Sequence, residues 1–122
     1  MSNQRQRLGQ RSEDLAVKFL KKGGYKIVVR NYRIPIGEID IIARDRQSLV
    51  FVEVKARRTA KFGSPKAAVT YRKQRKISMV ALAYLKETHQ TQADARFDVV
   101  SIDYSTDQPK LEIVKNAFEL AY

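Results

Sequence analysis

The residues best suited to chemistry lie in two neighbouring segments, GEIDIIAR at 37–44 and LVFVEVKAR at 49–57. Both segments alternate apolar and polar side chains, which is typical of β-strands. The polar turn at 45–48 predicts that they form a hairpin, and a four-residue turn places Asp40 directly opposite Glu53. Lys55 lies two residues after Glu53, so its side chain points to the same side.

The register of this hairpin follows from its apolar side chains, because apolar faces of paired strands must meet at the core. We predict that one face combines Ile39, Ile41 and Ala43 with Val50, Val52 and Val54. The other, mixed face then carries Glu38, Asp40 and Ile42 beside Phe51, Glu53 and Lys55.

Two carboxylates that oppose each other across a strand pair repel. A shared proton, a bridging Lys55 or a divalent cation between the carboxylates would offset that repulsion. Mg²⁺ is bound by one or two carboxylates together with water and phosphate oxygens. Asp40, Glu53 and Lys55 therefore include the parts needed for metal-assisted hydrolysis of a phosphodiester.

A further acidic candidate, Glu13, lies in a helix predicted at 10–22. The apolar stripe of this helix is formed by Leu15, Ala16, Phe19 and Leu20. Glu13 lies at the edge of the stripe, from where its carboxylate can reach over the sheet toward Asp40 and Glu53. The alternative is a solvated glutamate stabilised by the helix dipole, and the pattern alone supports both interpretations equally.

The remaining elements complete the order α-β-β-β-α-β-β. Further strands are predicted at 25–33, 95–103 and 110–117, and a second helix at 65–87 with a potential break near Thr70. A long helix between the third and fourth strands predicts a parallel crossover. We therefore expect an α/β fold with a mixed β-sheet and flanking helices. The 122 residues favour a single domain, 1–122, with residues 1–8 as a flexible basic arm.

Positive charge is the strongest property of the whole chain. It has 24 Lys and Arg against 13 Asp and Glu, a formal net charge of +11, which favours a polyanionic partner. No acidic residue lies between Glu53 and Glu87. The basic residues there that we predict to bind nucleic acid are Arg57, Arg58, Lys61, Arg72, Lys73, Arg75 and Lys76.

The last four of these residues begin the second helix, where positive charge opposes the helix dipole unless phosphates offset it. We expect them to contact phosphates and not bases. Replacing Lys73 and Lys76 together should leave metal binding at Asp40 and Glu53 untouched, because those ligands lie on strands and not on this helix. The alternative is an ordinary solvated basic helix.

The composition also excludes several classes of protein. The chain has no cysteine, so disulfide scaffolds, zinc–thiolate sites and thiol catalysis are excluded. No apolar run approaches the roughly 20 residues of a membrane helix, and the basic N-terminus lacks the apolar stretch of a signal peptide. We expect a cytoplasmic protein without a membrane partner.

These motifs resemble a known superfamily. GEIDIIARD followed by LVFVEVKARR is similar to the Asp…Glu-x-Lys core of the PD-(D/E)xK nucleases. The spacing of Gly9, Glu13 and Ala16 before GYKIVVRNYR resembles the opening of archaeal Holliday-junction resolvases. With RFDVVSID and the terminal NAF, nearly the whole chain resembles the YraN-like bacterial family within that superfamily.

The resemblance implies a restriction-endonuclease-like (tRNA-endonuclease-like) core. It also implies that Asp40 and Glu53 bind Mg²⁺ or Mn²⁺, that Lys55 positions water or stabilises charge, and that Glu13 supports them as a further acid. Two positions depart from the pattern. Ile39 replaces the proline before the aspartate, and Asp14 replaces the arginine after the helical glutamate, which weakens the case for junction specificity.

Three functions are compatible with these residues. The leading hypothesis is a metal-dependent endonuclease that acts on structured or branched DNA, with DNA favoured over RNA. The alternative is a nucleic-acid-binding module that keeps the nuclease fold without cleavage, and a third is a basic scaffold for ribosomal RNA or a protein. A two-fold homodimer would suit a branched, two-fold substrate.

Overall fold

The computed structural model describes residues 4–58 and 69–119. It contains two helices and five strands in the predicted order. They are α1 (Gln4–Lys22), β1 (Lys26–Ile34), β2 (Gly37–Asp45), β3 (Ser48–Arg57), α2 (Tyr71–Glu87), β4 (Ala95–Asp103) and β5 (Lys110–Phe118).

The five strands form one mixed sheet in the order β1-β2-β3-β4-β5. All neighbours are antiparallel except β3 and β4, which are parallel. The parallel pair is connected through α2, as a crossover requires. This arrangement confirms the predicted α/β fold with a mixed sheet and is consistent with a nuclease-like core.

The two helices cover opposite faces of the sheet. On β3, Val50 and Val52 belong to the apolar cluster that α1 completes with Ala16 and Leu20. The alternate residues Leu49 and Phe51 belong to the cluster that α2 completes. Because successive side chains of a strand point to opposite faces, each helix forms its own core with one side of the sheet.

Helix α1 begins at Gln4, so the prediction of a start at residue 10 is wrong. Residues 4–8, which were expected in a basic arm, belong to the helix. Glutamine and arginine are good helix formers, but they carry no apolar periodicity that would reveal this first turn. The helix ends at Gly23, whose N–H bonds the carbonyls of Phe19 and Leu20, and Gly24 follows with a positive φ of 94°, a conformation that glycine adopts readily.

Helix α2 begins at Tyr71, after Thr70 in extended conformation. The Thr70 hydroxyl accepts the N–H of Lys73 at 3.2 Å, which confirms the predicted cap at Thr70. The predicted part of the helix before this cap, at 65–68, lies outside the described residues. The predicted apolar stripe is confirmed, since its residues are all buried: Ile77, Val80, Ala81, Tyr84 and Leu85.

The predicted register of the central hairpin is confirmed. Asp45 pairs with Ser48 and Ile41 with Val52, so Arg46 and Gln47 form the tip of the turn. The ladder ends at Ile41–Val52, so the predicted direct pairing of Asp40 with Glu53 is not part of it.

The predicted faces of β2 are wrong at Ile39 and at Asp40. Ile39 packs with Ile42 in the α2 cluster, whereas Ile41 lies in the α1 cluster. Asp40 lines a cavity with residues of α1, so Asp40 and Ile41 are directed to the same layer and the alternation of β2 is interrupted. In β1 the residue opposite this interruption is Asn31, between the pairs Arg30–Ile41 and Tyr32–Ile39; its φ is 55°.

A buried polar network ties the sheet together near the hairpin turn. The fully buried Asp98 on β4 accepts the Tyr25 hydroxyl at 2.8 Å, the Arg96 Nε at 3.0 Å and the backbone N–H of Asn116 at 2.9 Å. Arg96 also reaches Asp45 at 2.6 Å. The buried carboxylate of Asp98 is therefore satisfied by hydrogen bonds from these three groups.

Within residues 4–58 and 69–119, neither helix is long and apolar enough to cross a membrane.

Candidate active site

The candidate site begins where β2 leaves β3. The ladder between these strands ends at the pair Ile41–Val52. Beyond it the backbone N–H of Val54 donates to Oδ2 of Asp40 at 2.8 Å. A side-chain carboxylate thus takes the place of a backbone acceptor, and Asp40 is held at the opening between the two strands.

Glu53 approaches the same opening from β3. Its side chain is only 7% exposed, and its Oε1 lies 3.9 Å from Nζ of Lys55 and 3.7 Å from Nζ of Lys73. Burial raises the pKa of Glu53 to about 7, and the nearby charge of Asp40 contributes to the rise, while the two lysines oppose it.

The pKa of Asp40 is also raised. Burial is the main cause, and the negative charges of Glu38 and Glu13 add to it. The Val54 N–H and the charge of Lys73 act in the other direction. At neutral pH, ionisation of Asp40 and Glu53 therefore places two negative charges close together and away from water, which is unfavourable.

Such a pair suits a hard divalent cation, because carboxylate oxygens are the ligands that Mg²⁺ and Mn²⁺ prefer. Within residues 4–58 and 69–119, no group of three or more acidic or histidine side chains comes together as a metal-binding set. The residues thus fit an ion that takes two carboxylates and completes its shell with water or a phosphate oxygen, and not one enclosed by protein alone.

Asp40 also lines a cavity of about 330 Å³ between α1 and the ends of β2 and β3. The lining residues of this cavity are Leu8, Gly9, Ser12, Glu13, Glu38, Asp40, Val54 and Ala56. Three of them are acidic and none is basic, although the chain as a whole is strongly basic.

Glu13 lies on the wall of this cavity, and its side chain is only 14% exposed. Its Oε1 accepts hydrogen bonds from Nε of Arg30 and Nδ2 of Asn31, both at 2.9 Å. Of the two interpretations left open by the sequence, the solvated glutamate is therefore excluded. Arg30 and Asn31, which hold Glu13 in place, were not anticipated, because a β-strand pattern does not reveal which side chains face a distant helix.

The predicted nucleic-acid-binding residues fall into three groups. Arg72, Lys73, Arg75 and Lys76 are exposed on the first turns of α2, and Arg58 is exposed after β3. Arg57 is mostly covered, and its Nη2 lies 3.9 Å from Oε1 of Glu112. Lys61 lies outside the described residues.

The effect of replacing Lys73 and Lys76 on metal binding stays a prediction, but Lys73 is not remote from the carboxylates: its Nζ lies 3.7 Å from Oε1 of Glu53. The reason is topological. A helix that connects parallel strands runs back across the sheet, so α2 begins near the end of β3 that carries Glu53 and Lys55. The proximity of the start of α2 to Glu53 could therefore have been inferred from the predicted crossover.

The N-terminal parts of both helices therefore border the site. Leu8 and Gly9 of α1 line the cavity with Asp40, and Lys73 of α2 approaches Glu53. The charged residues before Glu13 in α1 are Arg5, Arg7 and Arg11, and those in the first turns of α2 are also all basic. Positive charge at two helix N-termini opposes the helix dipole, which favours anions there.

The fold and the site together define a mixed-sheet α/β protein with a buried acidic pair between two basic helix starts. Comparison with known proteins shows the family. The model of the family described as "Uncharacterised protein family UPF0102" matches residues 12–102, and the chain belongs to this family.

Its relatives match along almost their whole length. A UPF0102 protein of Desulfosudis oleivorans is 56% identical over 119 residues, which cover 98% of this chain and 95% of the relative. A UPF0102 protein of Geobacter metallireducens is 51% identical over 122 residues, covering both chains completely. One of Syntrophus aciditrophicus is 47% identical over 116 residues, 95% of this chain and 91% of the relative.

Proposed function

We propose that this protein is a metal-dependent endonuclease that hydrolyses phosphodiester bonds of structured or branched DNA in the cytoplasm. The observation that carries the proposal is the buried pair Asp40 and Glu53, placed between two helix N-termini whose charged residues are all basic. A cation on the pair and a polyanion along the helix starts would offset both unfavourable charge arrangements at once.

Each residue then has a role that its surroundings support. Asp40 and Glu53 would hold Mg²⁺ or Mn²⁺, which when bound polarises a phosphoryl oxygen and activates water. Lys55, beside Glu53, holds a water or a phosphate oxygen close to the pair. Glu13, fixed by Arg30 and Asn31, orients water in the cavity.

The distribution of basic residues supports recognition of shape and not of sequence. Arg72, Arg75 and Lys76 are exposed beside the site, where they can neutralise phosphates, and phosphate contacts carry no base information. A homodimer would present two such sites to a two-fold branched substrate.

One observation favours the alternative of a nucleic-acid-binding module without cleavage. Lys55 and Lys73 both approach the same oxygen of Glu53, so these lysines partly offset the negative charge that would otherwise attract a cation. In this case the protein binds DNA and the acidic pair serves only to position the lysines.

The test is incubation of the protein with branched and linear DNA and with RNA of matched sequence, with Mg²⁺, with Mn²⁺ and with a chelator. We expect metal-dependent cleavage that prefers branched DNA, with Asp40→Asn and Lys55→Ala each reducing it at least about 100-fold. Lys18→Ala on the exposed side of α1 is the matched control and should cleave like the wild type. Cleavage that persists in Lys55→Ala, or binding without cleavage under every metal condition, would overturn the nuclease proposal, and the latter result would establish the alternative.

A further inference from the structure

Gly9 occupies a position that the packing of the protein does not explain. It lies in the interior of α1, where glycine is less stable than alanine because it loses more backbone freedom. Apart from the adjoining residues and backbone of α1 itself, no atom of residues 4–58 and 69–119 would lie within 4 Å of a Cβ built on Gly9. By contrast, a Cβ on Gly37 would come within 3.2 Å of Val80, so close packing accounts for that glycine but not for Gly9.

The open space over Gly9 belongs to the cavity of the candidate site. Gly9 lines it together with Ser12, Glu13 and Asp40. The missing side chain therefore widens the cavity on the side of α1, close to the carboxylate that Val54 holds in place.

The charge of the N-terminal part of α1 indicates the kind of ligand that binds beside Gly9. Between residues 4 and 12 the only charged side chains are Arg5, Arg7 and Arg11, at the helix end where the dipole favours anions. The Arg11 guanidinium lies 5.1 Å from the centre of the Tyr104 ring, and the Tyr104 hydroxyl hydrogen-bonds that of Ser12 at 2.9 Å. This part of the helix surface is thus basic and held against the sheet.

We propose that the surface of α1 at Gly9 is the wall against which the bound nucleic-acid strand lies, with the edge of one nucleotide against the helix backbone where a Cβ would otherwise stand. This inference rests on the proposed function and adds a contact that the carboxylates and lysines do not provide. Glycine is needed here because the helix backbone itself must approach the strand. The contact is made by backbone and shape, so it does not depend on the base.

A glycine kept for ligand binding and a glycine kept for packing respond differently to substitution. Gly9→Ala should stabilise the protein, raising its Tm by roughly 2–5 °C, and at the same time weaken nucleic-acid binding by about tenfold. Gly9→Leu, which adds bulk without losing helix propensity, should weaken binding further. Gln10→Ala, at the next and exposed position of α1, is the matched control and should leave the affinity unchanged.

The experiment combines thermal unfolding of the four proteins with fluorescence anisotropy of labelled branched DNA in Ca²⁺, followed by cleavage in Mn²⁺. A higher Tm with lower affinity for Gly9→Ala supports the proposal. Wild-type affinity and cleavage in Gly9→Ala and Gly9→Leu would overturn it while leaving the proposed function intact, and so would a lower Tm in Gly9→Ala, since that would give the glycine a packing role. If the wild type binds no nucleic acid, the proposed function fails first, and this inference falls with it.

Discussion

Glu53 shows how strongly the chemistry of a single residue depends on what surrounds it. Its side chain is buried beside Asp40, and the nearest cations are Lys55 and Lys73. Burial and the charge of Asp40 raise its pKa to about 7 from the ordinary 4.5. The folded protein therefore retains a proton on this group over a pH range in which the unfolded chain has released it.

This pKa predicts a pH dependence of stability. Between pH 4.5 and 7 the folded state binds more protons at Glu53, so its contribution to stability is present below that range and is lost as the pH rises through 7. We expect wild-type unfolding free energy to fall by about 2 kcal/mol more than that of Glu53→Gln between roughly pH 5.5 and pH 8. Urea denaturation at the two pH values measures the difference, and Glu119→Gln at an exposed position is the control. Equal pH dependence in the wild type and Glu53→Gln would show that Glu53 titrates normally.

The sequence allowed Asp40, Glu53 and Lys55 to be placed at the same end of the hairpin, because the length of one turn is a local property. It did not reveal that Asp40 leaves the predicted mixed face for the layer of α1. It did not allow the placement of Ile39. Its position depends on an interruption in β2 that is matched by the positive φ of Asn31 in β1. Such an interruption arises from the pairing of two strands, and neither strand carries a glycine at that point to mark it.

Among the structural elements, α2 links the basic surface to the acidic pair. Its N-cap at Thr70 fixes where the helix begins, and this start brings Lys73 within 3.7 Å of Glu53. Lys76 lies a further turn along, and its Cβ is 4.0 Å from a Cβ built on Gly37. The same basic cluster thus contains one residue that faces the carboxylates and others that face solvent.

This difference between Lys73 and its solvent-facing neighbours predicts that their substitution has different effects on nucleic-acid binding and on Mn²⁺ binding. Replacing both Arg72 and Lys76 by alanine should reduce the slope of log affinity against log salt by about 1.8, because each phosphate contact contributes about 0.9, and should leave Mn²⁺ affinity unchanged. Lys73→Ala should also reduce the slope, but at about pH 8 it should tighten Mn²⁺ binding, because it removes a positive charge beside Glu53. Affinity measured at several salt concentrations, with Mn²⁺ titrations of each variant, distinguishes the two. An unchanged slope in the double variant would make this surface an ordinary solvated one.

At the level of elements, the sequence predicted every strand within about a residue, since β-branched runs and polar turns mark them clearly. It missed the first six residues of α1, because glutamine and arginine form helices without an apolar stripe. It also separated Lys73 from Glu53, since distance along the chain and element type do not reveal that a crossover helix starts beside its preceding strand.

In the molecule as a whole, the site and the buried polar network lie at different parts of the same sheet. Asp98, Arg96 and Tyr25 join β4 to the end of α1, and Arg96 reaches Asp45 at the hairpin turn. Asp40 lies five residues before Asp45, roughly 17 Å along an extended strand. The network thus fixes the hairpin at one end, while the candidate site opens at the other.

This separation predicts that the network supports stability and not binding. Asp98→Ala leaves Arg96 with a single carboxylate partner and the buried Tyr25 hydroxyl without its acceptor, and should lower the unfolding free energy by roughly 2–4 kcal/mol. Asp107→Asn, at an exposed position, should change it by less than about 0.5 kcal/mol. Urea denaturation gives both values. A loss below about 1 kcal/mol in Asp98→Ala would mean that the network is replaceable by water.

Calorimetric titration with Mn²⁺ at about pH 8 is the direct test of the proposed cation site, in which Asp40 and Glu53 bind the ion and a phosphate completes its ligands. The wild type should bind weakly, with a Kd of about 1 mM, and about tenfold more tightly with a deoxynucleoside monophosphate present, because the phosphate supplies a further oxygen ligand. Asp40→Asn should show neither heat of binding nor the effect of the nucleotide. Traces without binding in the wild type, both alone and with the nucleotide, or identical binding in Asp40→Asn, would contradict the claim.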